Sequence, residues 1–278
     1  MRRARCVLLP SLFCGGVGLI FIPRQVHADF LAARPPIHAA SIAPWMIVID
    51  GENVLDTPYA LLRGGKYAPI SNMVVGCTQN ETAGWMEEIP IPLTPALYDI
   101  ALLAMFGNVS DSVSEEYPVV RTSPQNKYVL SAVGDDYVFV CANRNMLRLL
   151  AATPSANPPT TANYLFAHHP SSYPRNVGTV SHCDCDGCSC HGAELTFIHN
   201  SFAWSNATAT QEESMFALSM VELWTSFVSS GFTNSFPVYS ASKDNTYKLT
   251  VDGSTEVFGY HQPQCDFWDS TGLYMVPT

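Results

Sequence analysis

One glutamate and one histidine, far apart in the chain, are the residue types that make up two thirds of a hydrolytic proton relay. Glu81 closes the run VVGCTQNE (Val74 to Glu81), and His191 opens HGAEL (His191 to Leu195). A carboxylate that accepts from one imidazole nitrogen fixes the ring's tautomer, leaving the other nitrogen free to take the proton of an attacking hydroxyl. In one known arrangement of such relays the acid precedes the histidine and a serine lies upstream of both, on a sharp Gly-x-Ser-x-Gly turn between a strand and a helix. The sequence contains no such string; GCSCH (187–191) and GNVSD (107–111) are the nearest, and both lack the second glycine. The expectation is a relay that this chain does not complete by itself. Gly192, directly after His191, predicts a tight turn that presents the ring rather than packing it.

Taken singly, neither residue is specific. A charged side chain in a polar turn is ordinarily solvated, and eight histidines leave ample room for coincidence. His168 and His169 adjoin a predicted strand and read as residues held by packing or a hydrogen bond at its end. Glu194, three residues after His191, is given backbone hydrogen bonding and no chemistry. The segment Cys183-Asp-Cys185-Asp-Gly-Cys188-Ser-Cys190, flanked by His182 and His191, offers two readings. Thiolates and imidazoles at close range can make a tetrahedral metal site. Such sites usually draw on two separated pairs, however, whereas here the cysteines crowd together, and disulfides are the better expectation in an exported chain. Neither a metal nor a cofactor is expected, and a metal-binding module stays a third-ranked function. Cys77 reads as a small buried apolar residue.

The elements that would carry these residues alternate. Asn72-Met-Val-Val-Gly76 is brief, β-branched and closed by glycine, which predicts a buried strand. Glu81 then lies just past a strand end, where open α/β sheets place their working residues. Met46 to Gly51 reads as a further short strand or turn. Thr94 to Phe106 has helical periodicity, with a Thr-Pro start and Gly107 as its stop. Asp136 to Ala152 reads as a helix capped by Asp136, with Cys141, Met146, Leu149 and Leu150 on its apolar side. After a Pro/Ser/Thr loop, Asn163 to His168 reads as a strand. Gln211 to Ser230 is the clearest amphipathic helix, with Met215, Leu218, Met220, Val221, Leu223 and Trp224 apolar and Glu212 and Glu213 at its start. Phe236 to Tyr239 and Tyr247 to Val251 read as short strands, and a last helix lies around Cys265 to Trp268. This alternation predicts an α/β layered sheet, of which only part is present.

With 278 residues, 47% hydrophobic and 14% charged, the composition is that of an ordinary globular domain. A net charge of -10 argues against nucleic acid as a partner. Residues 1–28 read as an export signal: Arg2, Arg3 and Arg5 precede an apolar stretch from Cys6 to Ile22, and Val26-His-Ala28 offers a cleavage site. The alternatives are a short membrane anchor over residues 6–22 or a misplaced gene start. Nine cysteines and three sequons, at Asn80, Asn108 and Asn206, agree with a secreted or extracellular protein. Asn108 and Asn206 are the glycosylation candidates, because Asn80 would sit beside the proposed acid.

Seven stretches of the sequence together resemble the C-terminal half of the type B carboxylesterases, the family that includes the cholinesterases: PWMIVIDGENVLDTPYALLRGGKYAPI (Pro44 to Ile70), VVGCTQNE, GDDYVFVCANR (Gly134 to Arg144), NYLFAHHP (Asn163 to Pro170), HGAEL, LWTSFVSSG (Leu223 to Gly231) and CDFWD (Cys265 to Asp269). The similarity runs from about Val26 to Tyr274. It implies residues 29–278 as the C-terminal portion of a carboxylesterase domain, a partial α/β-hydrolase fold without the N-terminal strands and the nucleophile elbow. It implies Glu81 as the acid and His191 as the base of a Ser-Glu-His triad acting on a small-molecule ester, and Cys141 and Cys265 as a disulfide. It also implies that the glycine-rich oxyanion loop and the serine lie outside this sequence. The function expected is therefore a fragment of a secreted ester hydrolase, inactive alone. A catalytically silent, cholinesterase-like binding protein is the alternative.

Overall fold

The computed structural model describes residues 49–87, 89, 91–119, 126–153, 157–172, 183, 187–204 and 206–275. The leader, the first half of the Met46 to Gly51 run, His182 and Cys185 fall outside them. Four strands form one mixed sheet in the order β1-β2-β3-β4: β1 Asn72–Thr78, β2 Thr160–Phe166, β3 Asn245–Leu249 and β4 Thr255–Phe258. β1 runs parallel to β2 with Asn72 opposite Thr160 and Thr78 opposite Phe166. β2 is parallel to β3, and β4 returns antiparallel along β3.

Parallel neighbours need long crossovers, and the helices lie in them. Between β1 and β2 come α2 Ala83–Glu87, α3 Pro95–Phe106, α4 Ser110–Glu116, α5 Asn126–Gly134 and α6 Cys141–Ala152. Between β2 and β3 lie α7 Ala193–Ile198 and α8 Gln211–Ser230; α1 Pro58–Arg63 precedes the sheet and α9 Gln262–Thr271 follows it.

Strand alternation decides which helices cover which face. Leu165 and Cys77 join a cluster built by Tyr98, Leu102, Phe106, Val113, Leu130, Val133, Cys141 and Trp268. Phe166 and Leu249 point the other way, into Phe197, Phe216, Ala217 and Met220 from α7 and α8. Each fully buried aromatic of this size contributes about 2–3 kcal/mol of transfer free energy. Helix ends follow local chemistry. Thr94 caps α3 through Leu97 N, ahead of Pro95. Thr210 and Glu213 make a reciprocal capping box at the start of α8.

Several expectations need correction. The helix expected to begin at Asp136 begins at Asn126: α5 passes through a π-helical turn, Asp135–Val140, directly into α6. Asp136 caps nothing, because its carboxylate is buried and accepts from Tyr117 Oη at 2.9 Å and His261 Nδ1 at 2.6 Å. The buried line of α6 is Cys141, Arg144, Leu147 and Leu150 rather than one with Met146 and Leu149. Arg144 tolerates that position because Asp269 at 2.7 Å, Asp266 at 2.8 Å and Asp244 at 3.4 Å surround its guanidinium. On α8, Met215 and Leu218 face solvent, and Phe216 and Ala217 are buried instead, beside Met220 as expected. Phe236 to Tyr239 is irregular, anchored by Tyr239 N donating to Thr161 O at 2.7 Å. The last strand pair is Asn245–Leu249 with Thr255–Phe258, so the segment expected at Tyr247 starts earlier and has an additional partner.

Candidate active site

Glu81 sits three residues beyond the end of β1, in a turn closed by its own carboxylate: Thr78 N donates to Glu81 Oε1 at 2.6 Å. The second oxygen, Oε2, lies 2.5 Å from His191 Nδ1. The acid is 4% exposed, whereas the imidazole is 40% exposed. The structure thus joins the two residues across 110 positions of sequence, one buried and one open to solvent.

Three devices hold the contact. The loops clasp each other: Asn80 N donates to Ser189 O at 2.9 Å, and Ser189 N donates to Asn80 Oδ1 at 3.1 Å. The Asn80 side chain is spent on this clasp. Next to Glu81, Thr82 donates from N and Oγ1 to Asp135 Oδ1 at 2.7 and 2.9 Å, which ties the turn to the junction of α5 and α6. A Cβ on Gly134 would lie 3.0 Å from Thr82, so glycine there permits the close approach. On the histidine side, Gly192 takes a left-handed φ of 79°, a conformation that favours glycine. Ala193 N then closes the turn on Cys190 O at 3.0 Å. Trp85 and Phe139 flank the ring with centroids 5.3 and 6.0 Å away.

The charges are shifted accordingly. The Glu81 hydrogen bond holds the His191 pKa above its ordinary value; burial opposes this, and the charges of Glu81 and Glu194 add to it. With Nδ1 engaged by Glu81, Nε2 is the nitrogen left for proton transfer. Burial pushes the carboxyl of Glu194 up to about 7, with Glu81 adding to the rise while its own backbone N–H and His191 draw it down. Burial likewise lifts Asp135 to about 7, against the pull of the Thr82 hydrogen bonds. Nothing in the sequence singles out Asp135, and Glu194, expected to hydrogen-bond backbone and to carry no chemistry, is marked only by its spacing from His191.

The remaining candidate residues are placed as follows. Cys141 and Cys265 form a disulfide between α6 and α9. Cys183 is joined to Cys190, immediately before His191, and Cys188 is disulfide-bonded as well. Cys185 lies outside the described residues. Among those described, no group of three His, Cys, Asp or Glu side chains is arranged to hold a metal ion. His168 bonds to Glu213 at 3.0 Å and His169 to Cys188 O at 2.6 Å, so neither joins the site. Asn108 and Asn206 are exposed. Among the described residues, no helix is long and apolar enough to cross a membrane.

Comparison with known proteins places the chain in a family. Residues 24–268 match the carboxylesterase family, and the chain belongs to that family. It is similar to the crystal protein of Dictyostelium discoideum, with 24% identity over 239 residues that cover 81% of this chain and 42% of that protein. The chain therefore spans less than half the length of that relative.

Proposed function

We propose that this chain is the acid-and-histidine portion of a secreted carboxylic-ester hydrolase, a partial α/β-hydrolase domain over residues 29–278 preceded by an export signal. Glu81 orients His191, and His191 Nε2 is the base that would take the proton of a serine hydroxyl and return it to the leaving alcohol of a small-molecule ester. The single observation behind this reading is the 2.5 Å contact of Glu81 Oε2 with His191 Nδ1. The serine and the oxyanion-binding loop are proposed to lie outside this sequence, since it holds no Gly-x-Ser-x-Gly string. Glycosylation is proposed at Asn108 and Asn206.

The test is hydrolysis of 4-nitrophenyl acetate and butyrate by the purified chain beside a His191→Ala variant. Equal rates are expected. Turnover abolished by the substitution would mean that the chain carries its own nucleophile, and would refute the assignment as a portion inactive alone. A second reading is a catalytically silent binding protein. Under that reading His191 has no proton to move, even when the missing part of a carboxylesterase is supplied in trans.

A further inference from the structure

The three imidazole and carboxylate pairs among the described residues differ in what holds the histidine. His168 stands two residues past β2, with its ring against Phe197 and Phe216. His261 stands at the N-cap of α9 and stacks on Tyr260 at 4.1 Å. His191 instead stands in a turn, outside any strand or helix. On its C-terminal side α7 secures the turn, because Ala193 and Phe197 are buried with Phe166, Phe216 and Ala217. On its N-terminal side the polar ties are single contacts. His169 Nδ1 donates to Cys188 O at 2.6 Å, Asn80 clasps Ser189, and an isolated backbone bridge pairs Asn80 with Cys190. The covalent tie falls on Cys190, the residue directly before His191, which is 1% exposed and bonded to Cys183.

The same bond supplies the packing at this point. Ala83, Cys183 and Cys190 form a small buried cluster, distinct from the two cores on the faces of the sheet, with Cys188 against it. Ala83 opens α2 two residues after Glu81, and α2 also carries Trp85, which flanks the His191 ring. The disulfide is therefore the apolar contact between the element that follows the acid and the residue that precedes the base. Three small side chains bury little area with which to hold two loops together, so the cross-link takes over the task of packing. Its span also speaks for a local role. It joins residues seven positions apart, against 124 for Cys141 and Cys265, and the entropy that a cross-link removes from the unfolded chain grows with the loop it closes.

We propose that Cys183 and Cys190 are positioning residues for the relay: their disulfide fixes the backbone at the entry to the His191 turn and so keeps Nδ1 on Glu81. This inference rests on the reading of Glu81 and His191 given above. With Oε2 2.5 Å from Nδ1, a displacement of the ring by about 1 Å takes the pair out of hydrogen-bond range. Opening the disulfide leaves the acid in place, since Thr78 N holds Glu81 Oε1, and releases the base. The relay is lost while the fold persists.

The experiment is an NMR titration of His191 in 15N-histidine-labelled full chain, assigned by the signal lost in His191→Gln. Three variants stand beside it: Cys183→Ala with Cys190→Ala, Cys141→Ala with Cys265→Ala, and Glu81→Gln. Replacing both members of a bond leaves no new thiol to exchange with Cys188. Loss of Cys183 and Cys190 should weaken the proton affinity of His191 by about three-fold or more, free the neutral ring's proton from Nδ1, and leave the His168 and His261 signals in place. Loss of Cys141 and Cys265 should do the reverse, lowering the urea midpoint further and leaving the His191 curve unmoved. Equal His191 shifts in the two cysteine variants would mean general loosening and would overturn the proposal. A His191 curve unmoved by loss of Cys183 and Cys190 but lowered by Glu81→Gln overturns the positioning role and leaves the relay intact. A curve unmoved by Glu81→Gln overturns the relay itself. Should the Cys183 and Cys190 variant fail to fold, dithiothreitol is titrated into the unsubstituted chain. Its two thiols are oxidised to a cyclic disulfide as Cys183 and Cys190 are released as thiols, and alkylation with peptide mapping reports which bonds have opened. A His191 signal that shifts in step with the opening of Cys183–Cys190 supports the proposal, and one that stays in place after that bond has opened refutes it.

Discussion

Replacing Cys141 and Cys265 together by alanine tests how the site's supporting frame is held. The two residues are 124 positions apart and bonded between α6 and α9, and both are fully buried. Cys141 directly follows the π-helical turn that contains Asp135, and Asp135 holds Thr82 beside Glu81. Closing a loop of that length removes about 5 kcal/mol of conformational entropy from the unfolded chain at 25 °C, and native cross-links usually deliver about 3–5 kcal/mol. In the folded state α9 is also pinned by Asp269 to Arg144 and by Trp268 Nε1 to Tyr117, so the loss should act mainly through the unfolded state. In urea, with a slope of about 3 kcal/mol/M for a chain of this size, the midpoint should fall by about 1–1.5 M. The slope itself should steepen as the unfolded chain expands, while the near-ultraviolet circular dichroism of the native state stays unchanged. A midpoint shift below about 0.3 M, or a native spectrum already altered without denaturant, would refute the reasoning.

Two further outcomes follow from the same geometry. Gly76→Ala would place a methyl 2.3 Å from the Tyr164 ring, which Trp224 and Phe236 confine; a destabilisation of about 2–3 kcal/mol is expected, and a melting temperature within 1–2 °C of the parent, about the noise of such scans, would contradict it. His261 is held above its ordinary 6.5 because, although burial pushes it down, the Asp136 hydrogen bond and the charges of Asp136 and Asp135 outweigh that effect. Its contribution is therefore complete below pH 6.5 and declines as pH rises through the folded-state value. The stability gap between the chain and His261→Ala should shrink from pH 6 to pH 9 by no more than about 1 kcal/mol, the ring being partly exposed; a gap that widens with pH would contradict it.

Much of this molecule was legible before its structure, and the exceptions share one cause. β1, α3 with its Thr94 cap and α8 with its full span are local in origin: a β-branched run, which continues past the expected stop at Gly76 to Thr78, a Thr-Pro start, and an amphipathic run led by Glu212 and Glu213. The position of Glu81 past a strand end was equally visible, because it depends only on where β1 stops. What escaped the sequence depends on partners far along the chain. Asp135 and Asp136 look like a helix start until Thr82, Tyr117 and His261 are seen to occupy their carboxylates. Arg144 looks like a solvent-facing residue until three aspartates converge on it. Met215 and Leu218 look like core until the turn of α8 against α7 selects Phe216 and Ala217 beside Met220.

The most direct measurement is the proton NMR signal of the His191 ring in selectively 15N-labelled protein, recorded at low temperature with and without Glu81→Ala. The account predicts a strongly downfield proton coupled to Nδ1 in the parent, Nε2 free of hydrogen while the ring is neutral, and loss of the downfield signal in the variant. A neutral His191 that carries its proton on Nε2, or a ring spectrum indifferent to the loss of Glu81, would contradict it.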